Sequence, residues 1–379
     1  MRLLLGSAAQ ISQRRDRPET RGRTRSEKGL LLSLGDELDP SRLFAGFEAL
    51  SGLVLAVSGG PDSLALMHLA ARWRDAGGSF PLHVATVDHG LRPDAGAEAA
   101  QVGRWASALG LPHETLVWRG DKPASGLQER AREARYALLF AHARAIGAKA
   151  VVTAHHADDQ WETILIRLAR GSGLAGLAGM AREQVFPQGR LLRPLLDAPK
   201  QALIDLCRAR GQDFFTDPAN ANPAFDRARW RAAAPALHAL GLTPERLGKL
   251  AERSRKADQA LDHAAEELFR RTKMPESDVY DLQQAEDAPL AALERFLALA
   301  IEQAAGGPPS RLERLELFAL KLQAALRKGS AFRATLGGCA AKVDERKILT
   351  LLREAPRRRG TAAAETPSRP GAFVELPTE

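Results

Sequence analysis

From Leu53 to about residue 170, short apolar runs alternate with longer stretches in which apolar residues recur at helical spacing. "LVLAV" (53–57) precedes "DSLALMHLAARWRDAG", and "LHVATVDHG" (82–90) precedes a helix containing "AEAAQVGRWASALG". "PHETLVW" then leads into "LQERAREARYALLFAHARAIG", and "KAVVTAHH" into "DDQWETILIRLARG". Four β-α units in succession, with apolar strands flanked by helices, predict an α/β fold built on a doubly wound parallel sheet. Ligands of such sheets sit beyond the carboxyl ends of the strands. "SGGPDS" (58–63), "VDHGLR" (87–92) and "AHHADDQ" (154–160) all fall there.

The pattern then loosens. "GSGLAGLAGM" (171–180) is either a flexible connector or a lid or wall of a nucleotide pocket. "RLLRPLLDAPKQALIDLCRARG" (190–211) predicts a further helix, capped at Asp197, and "DFFTDP" closes the α/β unit. After "DPANANP", residues 225–327 are almost strand-free, with long Ala/Leu/Arg/Glu helices such as "PERLGKLAERSRKADQALDHAAEELFRR". That change predicts a separate α-helical domain. "AFRATLGGCAAKVDERKILTLLRE" predicts a small C-terminal β hairpin, and "PRRRGTAAAETPSRPG" a low-complexity tail. The expected organisation is a basic disordered extension (1–34), the α/β domain (35–220), the helical domain (221–329), the hairpin (330–355) and a disordered tail (356–379).

Composition narrows the class. With 379 residues, 45% of them hydrophobic, the chain can bury the core of a soluble protein of two or three domains. No apolar run approaches the ~18 residues of a membrane span, and "LLLG" is shorter than the ~7–15 apolar residues of a signal peptide. Cys207 and Cys339 lie far apart and form neither a disulfide framework nor a zinc cluster, which predicts a reducing, cytoplasmic setting. The formal charge of +8 points to nucleic acid until it is placed along the chain. Residues 1–28 carry a net +5 and residues 357–379 a net +1, which leaves +2 for the body. Most of the excess belongs to "QRRDRPETRGRTRSEK", a stretch without aromatic residues or periodicity. A solvated extension, a misplaced start codon, an RNA-contacting arm and an Arg-rich transit peptide all fit it. RNA binding by the body must rest on local clusters.

The junction "SGGPDS" carries the first chemistry. It lacks the lysine of a Walker loop and the spacing of a Rossmann fingerprint. Small residues between a strand and a helix N-terminus leave unpaired N–H groups and the positive end of the helix dipole together, a setting that favours phosphate. Gly59 and Gly60 permit backbone angles that turn N–H groups inward as an anion nest. Ser58 and Ser63 add hydroxyl donors, and Asp62 is placed to hold a cation that screens a pyrophosphate. Asp and Ser are also favoured helix caps, so a plain capped turn is the competing reading. The six residues together resemble the SGG-x-DS loop of the N-type ATP pyrophosphatases, the PP-loop superfamily, which cleave ATP to AMP and pyrophosphate. That likeness implies an adenine nucleotide alpha hydrolase-like fold with ATP as co-substrate at Ser58, Gly59, Gly60, Pro61, Asp62 and Ser63, and Mg2+ at Asp62.

Three further stretches sharpen the likeness. "VDHGLRPDAGAEA", "QERAREARYALL" and "TAHHADDQWETILIRLARGSGLAGLAGM" together resemble the tRNA(Ile)-lysidine synthase family, strongly from Leu53 to Arg231 and loosely over the helical domain. The resemblance implies a ligase that joins the side-chain amine of L-lysine to C2 of the wobble cytidine in the tRNA(Ile) with a CAU anticodon. ATP first adenylates the cytidine O2 and lysine then displaces AMP, which changes decoding from AUG to AUA. C2 of cytosine is a poor electrophile, so its oxygen must become a leaving group before an amine attacks. Lysine is mostly protonated at neutral pH, so a base or a carboxylate-lined pocket must accept its proton.

His155 and Asp159, four residues apart, share a face if a helix starts there. The resemblance assigns the pair to catalysis and lysine handling; a helix cap beside a satisfied histidine is the alternative. Arg135, with Arg132 three residues earlier, suits developing phosphoryl charge and joins Asp62, His155 and Asp159 in the expected catalytic set. Asp88 and Arg92 follow the second strand and are expected to border the adenosine pocket. Arg227, Arg229 and Arg231 in "FDRARWR" are expected to contact tRNA, although Ala228 stands where the family usually has Asn. No membrane is expected as a partner, and self-association as a homodimer is left open. A tRNA thiolase of the same superfamily and a catalytically inactive RNA-binding relative are the rival readings.

Overall fold

The computed structural model describes residues 38–77, 81–120, 122–123, 125–216, 226–275, 278–307 and 312–354. The extension at 1–34, the tail at 356–379 and "DPANANP" lie outside the described residues. A single helical turn, α1 (Pro40–Leu43), precedes β1 (Leu53–Ala56). With β2 (Leu82–Asp88), β3 (His113–Val117) and β4 (Ala150–Val152), β1 accounts for the four apolar runs. These strands join β5 (Glu183–Phe186) and β6 (Gly189–Leu192) in a six-stranded sheet of order β3-β2-β1-β4-β6-β5. Every pairing is parallel except that of β5 with β6. The chain moves outward from β1 to β2 and β3, then returns to place β4 on the other side of β1. That reversal opens a crevice at the carboxyl ends of β1 and β4, where "SGGPDS" and "AHHADDQ" follow.

Period-two alternation along β1 requires helices on both faces. Leu53, Leu55 and Val57 enter one core with Leu66, Met67, Val102 and Leu203, which α2 (Pro61–Asp75), α3 (Ala95–Ala108) and α7 (Lys200–Ala209) supply. Val54 enters the opposite core with Val151, Leu191 and with Leu139 and Phe140 of α4 (Leu127–Ala145). The sheet is therefore doubly wound.

The β5–β6 hairpin differs from the helix expected over residues 190–211. "VFPQGRLL" carried its signal: Pro and Gly separate two apolar runs. Gly189 takes φ +148, and an added Cβ would lie 3.2 Å from the Phe140 ring. Helix α7 starts only at Lys200, behind an extended Pro199 (φ −64, ψ 139), and Asp197 does not cap it. Two further helices follow, α5 (Ala157–Ala169) before the Gly-rich segment and the single turn α6 (Leu174–Leu177) within it. Helix α8 (Asp226–Ala239) and the start of α9 (Pro244–Thr272) pack on α5 around Trp161, Ile164, Leu165, Leu247 and Ala251.

The chain divides into two compact units, one ending at Arg255 and one starting at Lys256, within α9. In the second, α10 (Leu290–Ala305) and α11 (Leu312–Lys328) share a core around Phe296, Phe318 and Leu322 with an antiparallel sheet. β8 (Phe332–Leu336) and β9 (Cys339–Val343) form the expected hairpin, turned by Gly337 and Gly338 at φ +61 and +79. β10 (Ile348–Arg353) and β7 (Val279–Asp281) extend it to four strands of order β7-β10-β9-β8. β7 arises inside the otherwise helical stretch; its fully buried Tyr280 pairs with Leu349, so tertiary contact rather than local pattern makes the strand. Among the described residues, no helix is long and apolar enough to cross a membrane.

Candidate active site

Between Ala56 and Pro61 the chain turns from β1 into α2 within four residues. Gly59 takes φ +86, and an added Cβ would lie 2.6 Å from the Phe215 ring, so glycine alone suits the position. Its carbonyl accepts the Phe215 N–H at 2.9 Å, and Phe215 packs on Trp105 at 5.3 Å between ring centroids. Ser63 Oγ donates to Gly60 O at 2.9 Å and accepts the Ser58 N–H at 3.1 Å, which locks the turn. Gly60 is the N-cap and contributes no side chain, and Pro61 has no N–H to satisfy. The positive end of α2 is thus left uncovered by any cap side chain. Asp62 lies in its first turn. Asp62 Oδ2 is 3.5 Å from His156 Nε2 and 4.0 Å from Lys200 Nζ, whereas Oδ1 is buried without a partner.

Helix α5 begins at Ala157 behind the N-cap His156, so His155 precedes the helix and does not share a helical face with Asp159. The cap ties Asp159 to His156 instead, Asp159 Oδ2 accepting the His156 N–H at 3.2 Å, and Asp159 acts on His155 only through its charge. The His156 ring is buried among carboxylates, its Nε2 3.3 Å from Asp159 and 3.5 Å from Asp62, and its Nδ1 3.6 Å from Asp158. Burial alone would lower its pKa, but hydrogen bonds to Asp158 and Asp62 and the charge of Asp159 outweigh it and raise the ring to about 9. Asp158 also accepts the Lys200 N–H at 3.0 Å. The N-terminal ends of α2, α5 and α7 therefore converge on Asp62.

His155 is buried as well, with Nδ1 2.9 Å from Thr153 Oγ1. Burial pushes its pKa down to about 3, opposed by Asp159 and assisted by the charges of Arg135, Arg193 and Arg132. The ring is neutral at physiological pH: a hydrogen-bonding group and a weak base. Arg135 is half-buried on α4, its guanidinium 5.3 Å from the Tyr136 ring centroid, and its charge reaches both His89 and His155. Asp88 stands at the end of β2, where Oδ1 accepts the Gly90 N–H at 2.8 Å, and Arg92 pairs with Glu98 at 2.6 Å.

Glu162 completes the carboxylate group, and the sequence reading missed it. It lies three residues beyond Asp159 on the same helix face, within the quoted "DDQWET". Its carboxyl is almost wholly buried, and burial raises its pKa even though Arg231 pulls it down. Arg231 Nη2 is 3.2 Å from Glu162 Oε2 and 3.9 Å from Asp159 Oδ1. The Trp161 indole N–H donates to Leu242 O at 2.6 Å, tying α5 to the loop after α8. Arg227 acts on Glu162 through its charge, and Arg229 is exposed.

The Gly-rich segment is pinned by hydrogen bonds rather than left as a loose connector. Gln160 clasps Met180 on both sides, accepting its N–H at 2.6 Å and donating to its carbonyl at 2.9 Å. Arg167 donates to Gly176 O and Gly179 O at 3.0 and 2.8 Å, and Arg255 to Ala178 O at 2.9 Å. Gly179, at φ +68, brings its backbone against Gln160 where any Cβ would collide.

A glycine turn from strand to open helix end, on a doubly wound sheet, with an aspartate at the helix start, defines a PP-loop nucleotide-binding domain. The family described as PP-loop domain matches residues 39–237. The chain is 48% identical over 320 residues to the tRNA(Ile)-lysidine synthase of Methylobacterium nodulans, covering 82% of this chain and 93% of that one. The corresponding protein of Rhodopseudomonas palustris is 46% identical over 338 residues, covering 84% and 95%. The chain belongs to the tRNA(Ile)-lysidine synthase family. Among solved structures, the U34-tRNA thiolase NcsA from Methanococcus maripaludis aligns over 60% of this chain and 80% of its own with a TM-score of 0.52 and 13% identity, a likeness of fold alone.

Proposed function

We infer that the protein is an ATP-dependent C–N ligase that joins L-lysine to the wobble cytidine of CAU-anticodon tRNA(Ile) in the cytoplasm. The observation that carries this reading is one cluster of side chains with two chemistries. Asp62, on the phosphate-cradling turn, stands 3.5 Å from His156, which also contacts Asp159 of a carboxylate pair suited to an ammonium group. The turn and the open end of α2 receive the pyrophosphate half of ATP. Mg2+ fits Asp62, whose Oδ1 is buried without a partner, because magnesium is commonly held by one or two carboxylates plus phosphates. Bound there, it would screen the pyrophosphate charge.

Cytidine O2 attacks the α-phosphorus and pyrophosphate leaves; Arg135 is placed to offset the charge that develops. The lysine amine then attacks C2, and AMP departs with the original oxygen. Asp159 and Glu162 hold the ammonium, and Glu162, whose pKa is raised by burial, accepts its proton. Neutral His155 orients by hydrogen bonding rather than by storing a proton. Arg231 offsets one of the two carboxylate charges, and Arg227 and Arg229 on the same helix contact RNA phosphates. All these groups come from one chain, so the reading requires no second copy. Sulfur transfer fits poorly: the Cys207 thiol is buried, donates to Pro61 O at 3.3 Å and is pushed up to about 11 by burial and the nearby Asp62. Purified protein incubated with ATP, labelled lysine and unmodified CAU-anticodon tRNA should incorporate lysine into the RNA and release AMP. Sulfur-dependent product, or no turnover, would overturn the reading.

A further inference from the structure

β6 brings a second group of cations to the same edge of the sheet. The Thr153 N–H donates to Leu192 O at 2.9 Å, so β4 and β6 end side by side, with His155 and Arg193 just beyond them. Arg193 is 3% exposed. It donates to Ala181 O at 2.7 Å and to Gln184 Oε1 at 3.0 Å, and its Nε is buried without a partner. Nearby, Arg132 and Arg135 lie 5.1 and 5.3 Å from the Tyr136 ring centroid, and the Arg193 charge is felt alongside Arg132 and Tyr136. Arg135 Nε and Tyr136 Oη are likewise buried without partners. Burying the Arg193 guanidinium against carbonyls, with no carboxylate among its described hydrogen-bond partners, is unfavourable unless a ligand completes it. The orphaned atoms can all donate, so the group that completes them is an acceptor-rich anion.

Position identifies which anion. The pyrophosphate turn follows β1, and β6 lies two strands away, about 10 Å at the usual ~4.8 Å spacing. A pyrophosphate in the turn does not span that gap, and the adenosine side of the crevice is at β2. The other polyanion in the proposed reaction is the RNA. We propose that Arg132, Arg193 and Tyr136 form a second anion subsite, on the β4–β6 side of the pocket, that takes a backbone phosphodiester of the RNA beside the reacting nucleotide. Arg132 is exposed and meets the phosphate; Arg193 lies behind and supplies charge from the protein interior. The same charges act on His155, as a field prepared for an anion would. This subsite rests on the tRNA-modifying reading above.

The test is affinity for an anticodon stem-loop RNA, measured without ATP or lysine across a KCl series. Arg132→Ala and Arg193→Met should each bind roughly fivefold to tenfold more weakly near physiological salt. Arg132→Ala should lower the slope of log affinity against log salt by about 0.7–0.9, the signature of one lost phosphate contact, and Arg193→Met, which removes charge from behind it, by less. KM for ATP should stay within about twofold, and Arg193→Lys should recover most of the slope. Unchanged RNA affinity and slope in Arg132→Ala would overturn the subsite. So would an Arg193→Met defect that falls equally on ATP and that Arg193→Lys does not relieve, because that is the behaviour of a clasp for the Gly-rich segment. Lysine incorporation by the wild type, run in parallel, keeps the two readings apart: incorporation with an unaltered Arg132→Ala slope removes the subsite only.

Discussion

Asp62 has two oxygens in unlike settings, one facing His156 and Lys200 and one buried without a partner. Asp62→Asn keeps the shape and removes the charge, so AMP formation should be abolished while tRNA affinity stays near wild type; normal turnover would take Asp62 out of the mechanism. Asp159 has a structural duty besides the chemical one, because its Oδ2 accepts the His156 N–H at the start of α5. Asn can accept the same bond, so Asp159→Asn should spare the fold and ATP affinity and impair lysine transfer. Collapse of ATP affinity with normal lysine dependence would contradict that role. His155 adds a pH signature. With a folded pKa of about 3 against an ordinary value near 6.5, the unfolded chain takes up the proton first as pH falls. The stability tied to its neutral form is complete above about pH 6.5 and declines from there toward pH 3. His155→Gln should flatten the acid limb of a Tm–pH profile, and an unchanged limb would show that the ring is not held neutral. The residues of the turn and His155 could be picked out because each follows a strand end, and Asp159 through the family resemblance of "HHADDQWET". Glu162 and His156 were not, since their importance comes from a cap and a burial that only the fold supplies.

At the scale of elements, the strands following the clearest apolar runs were legible, as was the glycine turn. The β5–β6 hairpin was not, because "RLLRPLL" has the composition of a helix start and becomes a strand only by pairing with β4 and β5. β7 was hidden for the same reason, three residues long within a helical stretch. The helix α5 was legible from "DDQWET" onward and starts at Ala157, so the condition for a face shared by His155 and Asp159, a helix already running at His155, is not met. The Gly-rich segment was readable as connector, lid or wall; its clasps come from Gln160, Arg167, Arg193 and Arg255, spread over two helices and a strand end. Gly179→Ala should test those clasps. Its φ of +68 costs an L-residue about 1–2 kcal/mol, and the new Cβ would displace Gln160. Thermal unfolding should shift downward and turnover should fall together; wild-type stability and turnover would mean that the segment yields freely.

For the whole molecule, likeness of fold and likeness of sequence point in different directions. The thiolase shares the architecture at 13% identity, whereas proteins named tRNA(Ile)-lysidine synthase share 48% and 46% over most of the chain. Charge distribution is the other global feature. The body carries only about +2, so it cannot hold tRNA by bulk charge, and local arginines must do so. Arg227→Ala should therefore lower single-turnover modification strongly, while deletion of residues 1–28 should cost little at physiological salt although it removes +5. A deletion more damaging than Arg227→Ala, measured as affinity and single-turnover rate over a salt series, would make the basic extension the RNA-binding element. The most direct measurement on the molecule as an enzyme is nucleoside mass spectrometry of the wobble position after reaction with ATP and lysine. The expected product is a cytidine heavier by lysine less one water, with one AMP released per lysine joined. An unmodified or sulfur-bearing wobble cytidine, or AMP released without lysine in the RNA, would contradict lysine ligation.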